Sequence, residues 1–381
     1  MNVWNKVFLV LVLANLLAIG YYLKHKDFQL AVDRGLSTLK KSPLNYIFDR
    51  PKNPLESVPF VINNFQNKSN QEHQNITELV RKSHQTSQSN TTVKSNTTKP
   101  VYLCINLGAG LANRLYMYAS SYGLARDKGM ILVIPRGTET LDATFKVKNT
   151  YKKDPKLCPK TKHITESACC KLAPNLLKLP SNESVTINGY LQSYKYFEKY
   201  RKELKPLLTF RDIVLNEAKA KLHKLLSDKY VGETKNSLYN RTLVGIHIRR
   251  GDYTQPQAKA FGYRTATKEY IVKAVDYMKR NFSNVTFIAC SNDVQWTNKV
   301  FLGHNDVIVA QIGSATIDLA LLTLMNHTII TVGTYSFWAA WLNPQNGTVL
   351  YYKDFFEPGS RFSRGFASPN TDTYYPYWIG L

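Results

Sequence analysis
From Val101 onward the hydrophobic positions fall into short unbroken blocks, and segments with apolar residues at helical spacing lie between them. "VYLCIN" (Val101–Asn106) is followed by "LGAGLANRLYMYASSYGLARDKG" and then by "MILVI" (Met130–Ile134). The alternation returns as "TLVGIHI", "TKEYIVKAVDYMKRNF", "VTFIAC", "DVIVA", "TIDLALLTLMNH", "TIITVG" and "SFWAAWL". Blocks of mostly β-branched residues without polar alternation predict strands covered on both faces. Their interleaving with helices predicts parallel sheets in an α/β chain. Two such doubly wound halves meet near residues 230–241, around "SDKYVGETKNSLYN".

Upstream the pattern is different. Between Lys24 and about Pro100 no period is sustained, and "NNFQNKSNQEHQNITELVRKSHQTSQSNTTVKSNTTK" has almost nothing to bury, which predicts a flexible stem over 24–100. Before it, "VFLVLVLANLLAIGYYL" (Val7–Leu23) is apolar and free of charge, bracketed by Lys6 and Lys24. That length predicts a single transmembrane signal-anchor after a short cytoplasmic tail, residues 1–6. A cleavable signal is the rival, because Ala18-Ile19-Gly20 offers small residues to a peptidase. Lys24, Lys26 and Arg34 load the C-terminal flank, against the positive-inside expectation. Sequons weigh the other way: Asn-x-Ser/Thr begins at Asn67, Asn75, Asn90, Asn96, Asn182, Asn240, Asn281, Asn284, Asn326 and Asn346. Such a density favours a lumenal chain after Leu23.

Charge narrows the partners. Fifty Lys and Arg against twenty-seven Asp and Glu leave +23, which suits nucleic acid, a membrane surface or a phosphorylated small molecule. Zinc spacing, an RNA-binding aromatic signature and heptads are all missing, so nucleic acid is set aside. Of five cysteines, Cys104 and Cys290 sit in apolar blocks and read as buried small residues. Cys158, Cys169 and Cys170 lie in polar connecting sequence, where an oxidising compartment permits one disulfide.

Three stretches carry candidate chemistry. In "LVGIHIRRGDYTQPQ" the strand composition places Arg249-Arg250-Gly251-Asp252 where a buried strand leaves its sheet. Ligands bind at the carboxyl ends of strands in such sheets, and two guanidiniums there suit the oxygens of a diphosphate. The structural alternative is an Arg–Asp pair closing the turn. An adhesive Arg-Gly-Asp loop is disfavoured because its N-terminal side is pinned into a core. In "NLGAGLANRLYMYAS" (Asn106–Ser120) a strand, a turn with Gly108 and Gly110 and a helix start make an anion site, with Asn113 and Arg114 early in the helix. The glycine spacing does not meet a dinucleotide fingerprint. In "VGTYSFWAAWL" (Val332–Leu342), Gly333, Thr334 and Ser336 offer donors to phosphate, while Trp338 and Trp341 read as core by default. Asp-x-Asp, the usual holder of a divalent ion on a nucleotide diphosphate, is absent from the sequence. Arginine would then neutralise a leaving diphosphate itself.

With these residues in view, the chain resembles the animal α-1,2-fucosyltransferases, in layout nearest their invertebrate members. The resemblance rests on His247-x-Arg249-Arg250-x-Asp252, together with "NLGAGLANRLYMYAS", "INGYLQSYKYF", "CSNDVQWTNKVF", "IDLALLTLMNHTIITVGTYSFWAAWL" and "YYPYWIGL" in order over 101–381. It departs at Ala112-Asn113, where the family has Gly-Asn, and at Ser336-Phe337-Trp338. The resemblance implies a GT-B fold of two Rossmann-like domains, an acceptor-side one at 101–235 and a GDP-fucose-binding one at 236–381. It also implies an inverting Golgi type II enzyme that needs no obligatory metal or cofactor. The partners it implies are GDP-fucose, a galactose-terminated glycan acceptor and, through the N-terminal helix, a membrane. Carried over by position, His247, Arg249 and Arg250 contact the diphosphate and Asp252 buttresses them. Ser291, Asn292 and Asp293 meet base or ribose. Thr334, Tyr335, Ser336 and Trp338 complete the donor site, and Gly108 to Arg114 face the cleft from the first domain. Asp252 and Asp318 are candidate general bases, beside a base-free route; Asp318 also reads as a helix-dipole partner. Rival readings are another GDP-sugar or acceptor linkage, or a non-catalytic glycan-binding surface protein.

Overall fold
The computed structural model describes residues 99–381 apart from 148 and 159. The expected tail, the anchor at 7–23 and the stem up to residue 98 lie outside the described residues.

Strand β1 (Tyr102–Cys104) leads through the glycine turn into helix α1 (Leu111–Lys128), and β2 (Ile131–Val133), β3 (Lys162–Thr165) and β4 (Val185–Asn188) follow. They form a parallel sheet in the order β2-β1-β4-β3. Helix α1 ends at Gly129, whose left-handed φ of 65° returns the chain to β2, with Arg126 and Lys128 in its last turn.

Helix α2 (Asp212–Lys229) precedes the second sheet, built from β5 (Thr242–Ile248), helix α3 (Lys268–Asn281), β6 (Val285–Ser291), β7 (Val307–Ala310), helix α4 (Ala315–Leu322), β8 (His327–Ile330), helix α5 (Thr334–Trp341), β9 (Val349–Tyr351) and β10 (Ile379–Gly380). Its order is β10-β9-β8-β5-β6-β7, and every pairing is parallel. The unbroken block "TLVGIHI" is the interior strand β5, buried from Leu243 to Ile248, as a two-face-covered strand must be. Helix α2 packs on α4 and β7, and the Tyr230 hydroxyl just beyond it bonds Thr286 at 2.8 Å. By packing, α2, whose Val214, Ala218, Leu222 and Leu226 are buried, goes with α4 and β7 of the second lobe although it precedes the 235/236 boundary.

The lobes meet where α1 packs on α5. The Tyr116 ring lies 5.0 Å from Phe337 and 5.2 Å from Trp338, and Trp338 and Trp341 are fully buried. From the first lobe, Lys205 reaches the carbonyls of Trp341 and Asn343 at the end of α5, the polarity a helix C-terminus favours. The C-terminal tail crosses back: Asp372 accepts the Leu172 N–H at 2.7 Å and the Lys195 ammonium at 2.6 Å.

The cysteines correct the sequence reading. Cys104 is bridged to Cys158 with Cα atoms 6.2 Å apart, and Cys169 pairs with its neighbour Cys170. An apolar block does not exclude a bridge when its strand end faces the connecting loop. Cys290 is a buried free thiol.

Candidate functional site
The end of β5 is fastened to both neighbouring strands. The Arg249 N–H donates to Thr331 Oγ1 and the Arg250 N–H to Asn292 Oδ1, each at 2.9 Å. Gly251 follows at a φ of 39°, and a Cβ there would sit 2.2 Å from Asn292 Nδ2. The turn therefore demands glycine.

The two arginine side chains then part. Arg249 lines the cleft, with Nη2 on Asp252 Oδ1 and the guanidinium 5.3 Å from the Tyr253 ring. Arg250 turns away: its Nε donates to Asp293 Oδ2 at 3.1 Å and its guanidinium lies 3.9 Å over Trp296. Asp293 uses its other oxygen to cap the helix Val294–Val300 through the Trp296 N–H. Arg250 and Asp293 brace the loop after β6 instead of lining the cleft, which corrects the picture of two guanidiniums on one ligand. Asn292 and Ser291, which that brace holds, do line it. The Arg-Gly-Asp tripeptide is a pinned turn.

The cleft measures about 780 Å³ and takes its walls from both lobes. Gly110 and Asn113 face it from the first lobe; Gly108 and Arg114 do not. Arg114 instead clamps the glycine turn through the carbonyls of Ala109 and Gly137, at 2.9 and 3.0 Å. Asn113 Oδ1 accepts from Thr334 Oγ1 at 2.9 Å and from Gln192 Nε2 at 3.1 Å, tying the lobes together and leaving its amide N–H groups as donors. Across from it, Gly333 takes a φ of 85° to begin α5. Thr334 and Tyr335 line the cleft there. Ser336 is buried behind them and Trp338 belongs to the aromatic junction, so neither touches the cleft.

His247 is buried and neutral. Its Nδ1 lies 2.6 Å from Ser336 Oγ, whose own proton goes to the Val332 carbonyl at 2.9 Å. Ser336 must then accept, which puts the ring proton on Nδ1 and leaves Nε2 a bare acceptor. Burial, and after it the Arg249 charge, push His247 down to about 3. A neutral acceptor suits a hydroxyl better than a diphosphate oxygen, against the role carried over from the resemblance. Asp318, in the first turn of α4, lines the cleft with one buried oxygen lacking a partner, and burial raises it to about 6.

Sequence reasoning missed an aromatic wall of the cleft. Tyr190, Gln192, Tyr253, Phe261, Tyr263 and Arg361 line it, beside the Cys169–Cys170 pair. Of these, Tyr190 and Gln192 fall in "INGYLQSYKYF" and Tyr253 in "LVGIHIRRGDYTQPQ". Tyr263 is raised by burial and then by the nearby charge of Asp252, which sets Asp252 toward this aromatic end. Asp318 lies toward Cys290 and Tyr335 at the other end.

Three adjacent strand ends carrying a cation, amide donors and a helix start make a cleft of the kind in which α/β proteins hold anionic ligands. The chain belongs to glycosyl transferase family 11, whose sequence model matches residues 62–381. It is 30% identical to the galactoside 2-alpha-L-fucosyltransferase Sec1 of Mus musculus over 73% of each chain. It is 29% identical to the galactoside alpha-(1,2)-fucosyltransferase 2 of Gorilla gorilla gorilla, over 73% of this chain and 78% of that one. Among solved structures, the fucosyltransferase NodZ from Bradyrhizobium aligns over 65% of this chain and 94% of its own at 15% identity, with a TM-score of 0.44, too distant to bear on the reaction.

Proposed function
We propose that the protein is a Golgi type II membrane enzyme of GT-B architecture. It transfers L-fucose from GDP-fucose to O2 of a terminal galactose, inverting the anomeric carbon without an obligatory metal. The observation that carries the reading is Arg249, presented into a two-lobed cleft at the carboxyl end of an interior strand. The names of the relatives supply fucose and galactose; the apolar segment at 7–23 and the sequons support the lumenal topology.

The donor lies along the ends of β6, β5 and β8. Its guanosine meets Ser291, Asn292 and the carboxylate of Asp318, an acceptor for the ring N–H groups of guanine. The His247 acceptor takes a ribose hydroxyl. The diphosphate meets Arg249 and the N–H groups that begin α5, so positive charge is in place where negative charge develops as GDP leaves. Fucose then points to the aromatic wall, where a galactose packs its C–H face and attacks. Asp252 stands at that end and takes the acceptor proton; such a base contributes on the order of a hundredfold or more.

The test is the purified full chain with labelled GDP-fucose and a β-galactoside, with and without EDTA. Transfer to O2 that survives EDTA supports the proposal. Loss of transfer with EDTA removes the metal-independent part, and binding without turnover removes the reaction itself.

A further inference from the structure
Five of the sequons share one place in the fold. Asn240 immediately precedes the residue before β5, Asn284 precedes β6, Asn326 precedes β8 and Asn346 lies shortly before β9, while Asn281 ends α3. Strands β9, β8, β5 and β6 are consecutive neighbours in a parallel sheet, so their N-terminal ends form one row. The Thr242 N–H donates to the Asn284 carbonyl, the Asn326 N–H to the Leu243 carbonyl and the Thr328 N–H to the Thr348 carbonyl. Arg249 leaves the other end of β5, seven residues on, which is about 20 Å of strand.

Local geometry sorts the row. Asn240, Asn284, Asn326 and Asn346 are exposed and each is followed by threonine at the third sequon position. Asn326 is fixed with Oδ1 on the Leu243 N–H at 2.8 Å, which turns its amide nitrogen outward. Asn284 and Asn346 sit at φ 51° and 50° in turns. Their amide hydrogen bonds, to Asn240 and Pro344 carbonyls, are long at 3.3 and 3.4 Å. Phe282, two residues before Asn284, keeps its ring stacked 3.8 Å from His327 and half-buried at the same edge, a surface on which a first sugar can pack. Asn281 differs. Its amide is drawn at 2.7 Å onto the Tyr277 carbonyl in the last turn of α3, its sequon ends in Ser283, and Asn284 is only three residues away.

We infer that this edge is a glycan-bearing face on which Asn240, Asn284, Asn326 and Asn346 carry N-linked oligosaccharides, Asn281 stays bare, and the cleft at the opposite edge stays open. The inference rests on the lumenal part of the proposed function. In each attachment, Nδ2 forms a bond to the anomeric carbon of a lipid-diphosphate-linked oligosaccharide. The sugar–oxygen bond breaks, the lipid diphosphate leaves, and the amide gives up one proton.

The experiment takes the full chain from a eukaryotic secretory host and releases N-glycans with an amidase in water labelled with heavy oxygen. Peptide mass spectrometry then finds each converted asparagine. The expected result is label at Asn240, Asn284, Asn326 and Asn346 and none at Asn281. If the stem sequons Asn67, Asn75, Asn90 and Asn96 are labelled while the row is bare, the inference fails and the lumenal reading stands. If no sequon is labelled, both fail. Turnover measured before and after deglycosylation of the folded enzyme should agree within about twofold; a loss of about tenfold would put the glycans against the cleft and overturn the placement.

Discussion

Replacing Arg249 with lysine keeps the charge and removes the fork. Nη2 is already held by Asp252, and among the described residues no acceptor bonds Nη1 or Nε, so these two donors remain for a diphosphate. A lysine at this position is drawn to Asp252 as a point charge and cannot hold carboxylate and phosphate at once. The change forfeits one charge-assisted hydrogen bond, about 1.5–3 kcal/mol, which corresponds to roughly 10- to 150-fold in kcat/KM at 1.4 kcal/mol per decade. Because the charge on GDP grows as the sugar departs, most of the loss should fall on kcat. The assay is initial-rate GDP release at varied GDP-fucose with a saturating β-galactoside, beside a thermal melt to show that the variant is folded. A folded Arg249→Lys enzyme within about threefold of the parent would refute the reasoning.

Arg250→Lys breaks the Asp293 bond and the Trp296 stack, together worth about 2 kcal/mol; it should raise KM for GDP-fucose and lower Tm, and a change in kcat alone would contradict a bracing role. Asp318 is raised by burial to about 6, so its folded form holds the proton more tightly than the unfolded chain does. The stability this adds is full at low pH and is lost as pH rises through about 6. Asp318→Asn should therefore gain Tm on the parent across that window while binding GDP more weakly, and parallel Tm curves would count against it. His247, pushed down to about 3 by burial, should show no ring titration by NMR between about pH 5 and pH 8; an inflection there would contradict a ring buried in its neutral form. Removing the Cys104–Cys158 bridge, which spans 54 residues, should cost about 4 kcal/mol in urea unfolding by loop entropy, and a loss under about 1 kcal/mol would make it structurally idle.

Much of this architecture is legible in the sequence. Strands such as "TLVGIHI" announce themselves because a strand covered on both faces has no polar alternation, and the position of Arg249 follows from where that block ends. What a sequence does not encode locally is the direction in which adjacent side chains leave a turn. Arg249 and Arg250 look equivalent in one dimension, and only Asp293 and Trp296, more than forty residues on, draw Arg250 away. Ser336 and Trp338 sit in the same motif as Thr334, but helix periodicity turns them inward behind it. Cys104 read as core because apolar neighbours say nothing of a partner 54 residues downstream. The aromatic wall was invisible for a related reason: Tyr190, Phe261 and Arg361 come from three segments far apart in the chain, so no spacing rule links them.

A crystal structure of the GDP complex would test the account most directly. The account places the diphosphate oxygens within hydrogen-bond distance of the Arg249 guanidinium and the first N–H groups of α5, with the guanine against Asn292 and Asp318. GDP seated away from Arg249, or Arg249 still turned wholly onto Asp252 with the nucleotide bound elsewhere, would contradict it.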